Sequence, residues 1–243
     1  MFSRRIQQRA RHLVALLIRP LARLGVTPNT LTVIGLLISI LTAVVIAQGY
    51  LVAGGLLVLF AGIFDMFDGA MARFLNTATT FGAFFDSTLD RYSESIILFG
   101  MLVYALQRPD LHDIFWPFAH EQLWMIAVIF IAVVGSLMVS YTKARAEGLG
   151  LECKTGLLAR PERVVLLAIG LISGTSIWAL ILLAIFSQVT AIERVVHVWR
   201  ITNRTVQLSK AANISVDMLA QTNDTSTDNR HVPTTTVGTN DGG

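Results

Sequence analysis

Four aspartates are gathered between residues 65 and 90. They occur in Asp65-Met66-Phe67-Asp68-Gly69-Ala70-Met71-Ala72-Arg73, followed by Gly82-Ala83-Phe84-Phe85-Asp86-Ser87-Thr88-Leu89-Asp90. Asp65 and Asp68 are three residues apart, and Asp86 and Asp90 are four apart. On helices, each pair projects from one face. Gly69 and Ala72 sit beside the first pair and Gly82 lies one turn before the second. Small residues let two helices approach closely, so two such helices bring four carboxylates to one point. Like charges held together at a membrane boundary repel one another, and a hard divalent cation relieves that repulsion. Oxygen-only donors without His or Cys favour Mg²⁺ or Mn²⁺ over Zn²⁺. A site of this kind can hold two ions, which suits displacement at phosphorus: one clamps the leaving phosphate and the other assists the attacking oxygen. The plainer alternative, juxtamembrane charges paired with Arg73 and Arg91, accounts for one such aspartate more readily than for four at this spacing. Glu94 continues the Asp86/Asp90 face one turn further on, where a partner on a neighbouring helix and a role at the metal both stay open.

The elements that must carry these residues are membrane helices. Of the 243 residues, 53% are hydrophobic and 14% charged, against about a quarter charged in soluble domains. The apolar residues come in runs near the ~20 needed to cross a bilayer core of roughly 30 Å, and helices satisfy the backbone there. The expected fold class is an all-α integral membrane protein with six transmembrane helices preceded by an N-terminal amphipathic interfacial helix. The spans are predicted over 29–48, 51–67, 81–106, 122–143, 161–177 and 176–198, the last two parting near Ser173-Gly174-Thr175. The domain division is an amphipathic helix over 1–24, a six-helix domain over 25–200 and a disordered polar tail over 201–243. That tail turns to Thr, Asn, Asp and Ser, with too few apolar residues to offset the entropy of ordering.

Charge sets the orientation. Arg4, Arg5, Arg9, Arg11, Arg19 and Arg23 share the first segment with leucines at helical spacing, the pattern of a helix lying on an anionic membrane face. No aromatic stacking platform accompanies them, so nucleic acid is not expected as a partner. Arg19, Pro20 and Arg23 interrupt the first apolar stretch, which argues against a cleavable signal peptide. With six spans the basic clusters fall on one side, placing both termini and the aspartates on the cytoplasmic face of the plasma membrane. Cys153 is the only cysteine, which excludes an intramolecular disulfide.

The run Asp65-x₂-Asp68-Gly69-x₂-Ala72-Arg73-x₈-Gly82-x₃-Asp86-x₃-Asp90 resembles the signature of the CDP-alcohol phosphatidyltransferase family at every fixed position. The resemblance implies six helices, usually in a homodimer, around a polar cavity open to the cytoplasm. It implies two metal ions held by Asp65, Asp68, Asp86 and Asp90, with Asp90 also the general base. It further implies contacts to the CDP-lipid from Gly69 and Arg73, and from Asn29, Thr30, Leu31, Thr32 and Thr79.

Further along lie Ser140-Tyr141-Thr142-Lys143-Ala144-Arg145-Ala146-Glu147 and Arg160-Pro161-Glu162-Arg163, with Arg194 near the end of the last span. A positive-inside loop that holds lipid headgroups is one reading. An anion pocket is the other, since arginine offers a planar fork to phosphate and lysine a point charge. These segments are similar to those of the actinobacterial phosphatidylinositol-phosphate synthases. That likeness implies CDP-diacylglycerol as donor and a phosphorylated inositol (inositol 1-phosphate, that is D-myo-inositol 3-phosphate) as acceptor. Lys143, Arg160 and Arg194 would hold its phosphate, with Arg145 and Arg163 as further candidates. Rival readings are glycerol 3-phosphate as acceptor, an ether-linked donor lipid, a divalent-cation transporter using the aspartates as its pathway, and a lipid-binding scaffold.

Overall fold

The computed structural model describes residues 26–75, 77–108, 116–153, 156 and 160–228. The amphipathic helix expected over 1–24 lies outside the described residues. Six helices follow one another: α1 (Pro28–Ala47), α2 (Leu51–Phe74), α3 (Thr80–Gln107), α4 (Glu121–Gly148), α5 (Arg160–Ser173) and α6 (Ser176–Asp228). No strand occurs among the described residues. Local chemistry sets the ends. The Thr27 hydroxyl accepts from the Thr30 amide at the start of α1, with Pro28 as the first helical residue, and the Thr79 hydroxyl caps α3 through the Gly82 amide at 2.9 Å. Such caps satisfy amides that a helix start leaves without a partner. Gly49 (φ +93°) turns the chain from α1 into α2, and Gly174 (φ +71°) turns it from α5 into α6.

Among the described residues, four helical stretches are long and apolar enough to cross a membrane: Pro28–Ala47, Leu51–Ala72, Glu121–Gly148 and Ser176–Arg204. The chain is thus a multi-pass membrane protein. α3 has 28 residues but carries Asp86, Asp90, Arg91 and Glu94 between its start and its middle. α5, at 14 residues, rises about 21 Å, short of the hydrocarbon thickness. Two boundaries depart from the sequence expectation. α2 continues past residue 67 to Phe74, which puts Asp65 and Asp68 on one unbroken helix. α6 continues through residues 201–228, where composition predicts disorder; no glycine or proline occurs between Ser176 and Asp228 to break it. Residues 229–243 of the expected tail lie outside the described residues. The chain forms two units, 1–195 and 196–243; the described part of the second is helix alone.

In the first unit, α1 packs against α2 and α3, α2 against α5, and α3 against α4. All six helices feed one core, with Ile46, Val58, Leu98, Met101, Met125, Ile129, Leu171, Ile177 and Leu180 nearly solvent-free. Large apolar side chains such as Leu37, Leu41, Phe130 and Ile185 stand exposed, as lipid-facing residues must. Close approaches depend on glycine. A Cβ on Gly100 of α3 would lie 2.6 Å from the Cα and carbonyl oxygen of Ala43 in α1, and one on Gly55 of α2 would lie 2.9 Å from the Ala168 carbonyl of α5.

Because Gly100 meets backbone rather than a movable side chain, Gly100→Val should cost about 1–3 kcal/mol through overpacking. The apparent melting temperature of detergent-solubilised protein checks this. Gly148→Val should leave it unchanged, because a Cβ on Gly148 has nothing within 4 Å.

Candidate metal centre

Three of the four aspartates converge. Asp65 projects from α2, and Asp86 and Asp90 project one turn apart from α3. One carboxylate oxygen from each lies within 4.8 Å of the others. Asp90 is buried, and Asp65 and Asp86 are half-buried. The fourth acid, Asp68, stands in α2 three residues after Asp65, but its side chain lies outside the described residues, as does that of Arg73. Oxygen atoms from three carboxylates gathered so tightly fit a hard divalent cation in donor chemistry and reach.

α1 sets the spacing of the two acid-bearing helices. Leu31 is 2% exposed and packs with Met71 of α2, joined by Phe64 and Ala70. At the start of α3, a Cβ on Gly82 would lie 3.0 Å from the Thr79 hydroxyl and 3.4 Å from the Asn29 side-chain oxygen. Asn29 of α1 is therefore next to the first turn of α3. The Thr30 and Thr27 hydroxyls pair at 2.9 Å, and buried Thr32 donates to the Pro28 carbonyl at 3.1 Å. Of the residues expected to meet a CDP-lipid, Asn29 and Thr79 thus meet at one place, where the N-termini of α1 and α3 adjoin. The Leu31 side chain is a packing residue, and Gly69 belongs to the helical stretch between Asp68 and Ala70.

A cavity of about 230 Å³ runs inward from the acids. Its polar wall holds Thr32, Ser39, Asp65, Asp90, Ser93, Glu94 and Arg163, and its apolar wall holds Val58, Leu59, Ile63, Ile97, Leu98, Val164 and Leu183. Carboxylates, hydroxyls and a guanidinium thus share one cavity with many apolar side chains, which suits a molecule that is part charged and part apolar.

The basic residues separate into two groups. Lys143 and Arg145 are exposed near the end of α4. Lys143 lies 3.7 Å from Glu147, with both side chains about half exposed, a weak pairing that leaves the ammonium available. The Arg194 guanidinium donates to the Val139 carbonyl, one turn before Lys143. The Arg160 side chain lies outside the described residues. Arg163 differs: it is 5% exposed, 2.9 Å from Glu94, and it donates to the Ser136 hydroxyl at 3.0 Å. Glu94 also meets Arg91 at 2.9 Å. The sequence left the role of Glu94 open; the structure places it between two guanidinium groups. A partner for Glu94 on a neighbouring helix was one of the two open readings; that it would be Arg163, with Ser136 beyond it, was not foreseen. Its one signal was an acid a full turn inside a membrane helix, where a cationic partner is expected.

The CDP-alcohol phosphatidyltransferase family model matches residues 25–199. An archaetidylinositol phosphate synthase of Methanothermobacter thermautotrophicus is 34% identical over 190 residues, covering 75% of this chain and 89% of that protein. A phosphatidylinositol phosphate synthase of Mycobacterium marinum is 34% identical over 213 residues, covering 83% of this chain and 86% of that protein. Among solved structures, the Mycobacterium tuberculosis phosphatidylinositol phosphate synthase with CDP-DAG bound superposes with a TM-score of 0.67 at 32% identity, covering 77% of this chain and 94% of that one. The same enzyme in complex with manganese and citrate also gives 0.67 at 32% identity, covering 76% of this chain and 88% of that one.

Substituting Asn for Asp65, Asp86 or Asp90 in turn should weaken Mn²⁺ binding about tenfold or more, since even residues one shell outside a metal site cost 10–100-fold. Titration followed by the electron paramagnetic resonance of free Mn²⁺ measures this. Glu147→Gln, on an exposed pair away from the cluster, should leave binding unchanged.

Proposed function

The chain belongs to the CDP-alcohol phosphatidyltransferase family, whose metal-dependent chemistry it shares, and we propose that it transfers the phosphatidyl group of CDP-diacylglycerol to a hydroxyl of a phosphorylated inositol, releasing CMP. The observation that carries this is the meeting of Asp65, Asp86 and Asp90, two of which, Asp65 and Asp90, also line a cavity rich in apolar side chains. Such a site handles a phosphate ester attached to a lipid. The acceptor rests on the relatives: their names differ in the lipid, archaetidyl or phosphatidyl, and agree on inositol phosphate.

In the proposed reaction Asp65, Asp68, Asp86 and Asp90 hold two Mg²⁺ or Mn²⁺ ions. When bound, such ions neutralise charge on the diphosphate and the leaving phosphate. The adjoining N-termini of α1 and α3, with Asn29, Thr30 and Thr79, offer the diphosphate amide and hydroxyl donors at the positive ends of two helices. Gly69, Arg73 and the backbone near Leu31 and Thr32 line the CDP end. Lys143, Arg160 and Arg194, with Arg145 as a further candidate, hold the acceptor's phosphate and so aim its hydroxyl at the metal centre. Asp90 accepts the proton of that hydroxyl. The oxygen forms a bond to the lipid-bearing phosphorus as the bond from that phosphorus to the bridging oxygen breaks. CMP departs with its charge met by Arg73. Six spans, both termini and the site on the cytoplasmic face of the plasma membrane, and a homodimer complete the proposal. The basic residues at one end of the helices support its orientation.

Purified protein with Mg²⁺ and CDP-diacylglycerol should release CMP with inositol 1-phosphate, and far less with free inositol, glycerol 3-phosphate or serine. Preference for glycerol 3-phosphate would replace the acceptor assigned here. Running the assay with an ether-linked CDP-lipid separates the two donor classes. Asp90→Asn should abolish CMP release, by about 10²-fold or more for a lost general base, while CDP-lipid binding persists. Retained turnover would remove Asp90 from that role.

A further inference from the structure

The cavity wall contains one charged assembly that the reaction above does not use. Glu94 lies four residues after Asp90 on α3, so their Cβ atoms are about 6 Å apart. One Glu94 oxygen meets Arg163 of α5 and the other meets Arg91 of α3, each at 2.9 Å. Arg163 also reaches Ser136 of α4. It is 5% exposed, and the Glu94 side chain is 17% exposed. Arg163, Glu94, Asp90 and Asp65 line the same cavity. Water therefore screens little of the field these charges set up at the aspartates.

We propose that Glu94 and Arg163 are positioning residues that balance charge beneath the metal centre: Glu94 neutralises the guanidinium charge next to the aspartates, and Arg163 keeps Glu94 from acting as an additional carboxylate, while together they lock α3, which carries Asp86 and Asp90, to α4 and α5. The inference rests on the metal-site reading above. It also assigns Arg163 a partner other than the acceptor's phosphate. The two residues act on the site with opposite sign. Loss of Glu94 leaves positive charge facing the aspartates and weakens cation binding. Loss of Arg163 leaves an extra negative charge there and strengthens it. A purely mechanical brace would lower affinity whichever partner was removed.

The experiment is Mn²⁺ titration of the full-length protein in detergent without lipid substrate, read by loss of the free-ion electron paramagnetic resonance signal. Glu94→Gln should raise the dissociation constant about 3- to 10-fold, and Arg163→Gln should lower it by a similar factor, as expected for a unit charge at this range. The double variant should return to within about twofold of wild type, the signature of a coupled pair. Arg163→Lys, which keeps the charge and loses the fork, should stay near wild type, and it carries the test if Arg163→Gln does not fold. Shifts of the same sign in both glutamine variants would overturn the inference, as would a tenfold loss in Arg163→Lys. Absence of Mn²⁺ binding by the wild type, or undiminished binding by Asp65→Asn, would overturn the metal-site reading itself.

Discussion

Carboxylates that meet within a few ångströms at the edge of a hydrocarbon layer repel one another, and the protein is organised around holding them there. Their attraction for a cation supplies the compensation only when helices on different parts of the chain reach one point. α2 and α3 carry the acids, but neither fixes their separation. α1 lies against both, seating Leu31 on Met71 of α2 and Asn29 beside Gly82 of α3. Further along, Gly100 lets α3 come within backbone contact of Ala43. A bulkier residue there would tilt α3 away from α1. The aspartates at the far end would separate, because a helix transmits a change of angle along its length.

The same arrangement suits the two substrates of the proposed reaction. The cavity is lined by both carboxylates and apolar side chains, which suits the lipid phosphate ester proposed as donor. The exposed cations Lys143 and Arg145 stand near the end of α4, open to a water-soluble anion. In the proposed reaction the donor chemistry falls to α2 and α3, and the acceptor chemistry to α4, α5 and Arg194.

The meeting of Asp65, Asp86 and Asp90 was legible in the sequence because its information is local. Spacings of three and four residues survive folding as faces of helices, and small residues mark close packing without reference to the rest of the chain. The break near Gly174 is local in the same way. The acceptor half depends on which way long side chains turn, and that is set by partners distant in sequence. Arg163 and Lys143 look alike as members of one basic cluster, yet one is buried against Glu94 and the other stands exposed. Composition misjudged residues 201–228 for another reason. Polar content speaks to the lack of a core, whereas the absence of glycine and proline decides whether a helix that has already begun must stop.

A buried ion pair is an expensive way to join helices. Removing two charges from water costs several kcal/mol per ion, and well-packed apolar residues of similar volume often hold as well or better. The Glu94–Arg163 contact is therefore poorly explained as a source of stability, especially beside Leu98, Leu167 and Leu183, which supply apolar packing in the same region. A charge pair one helical turn from a metal centre can do what a leucine cannot: set the electrostatic potential at the aspartates while fixing the rotation of the helix that bears them. Geometry and field are then adjusted by the same two side chains, and a change in either residue alters both.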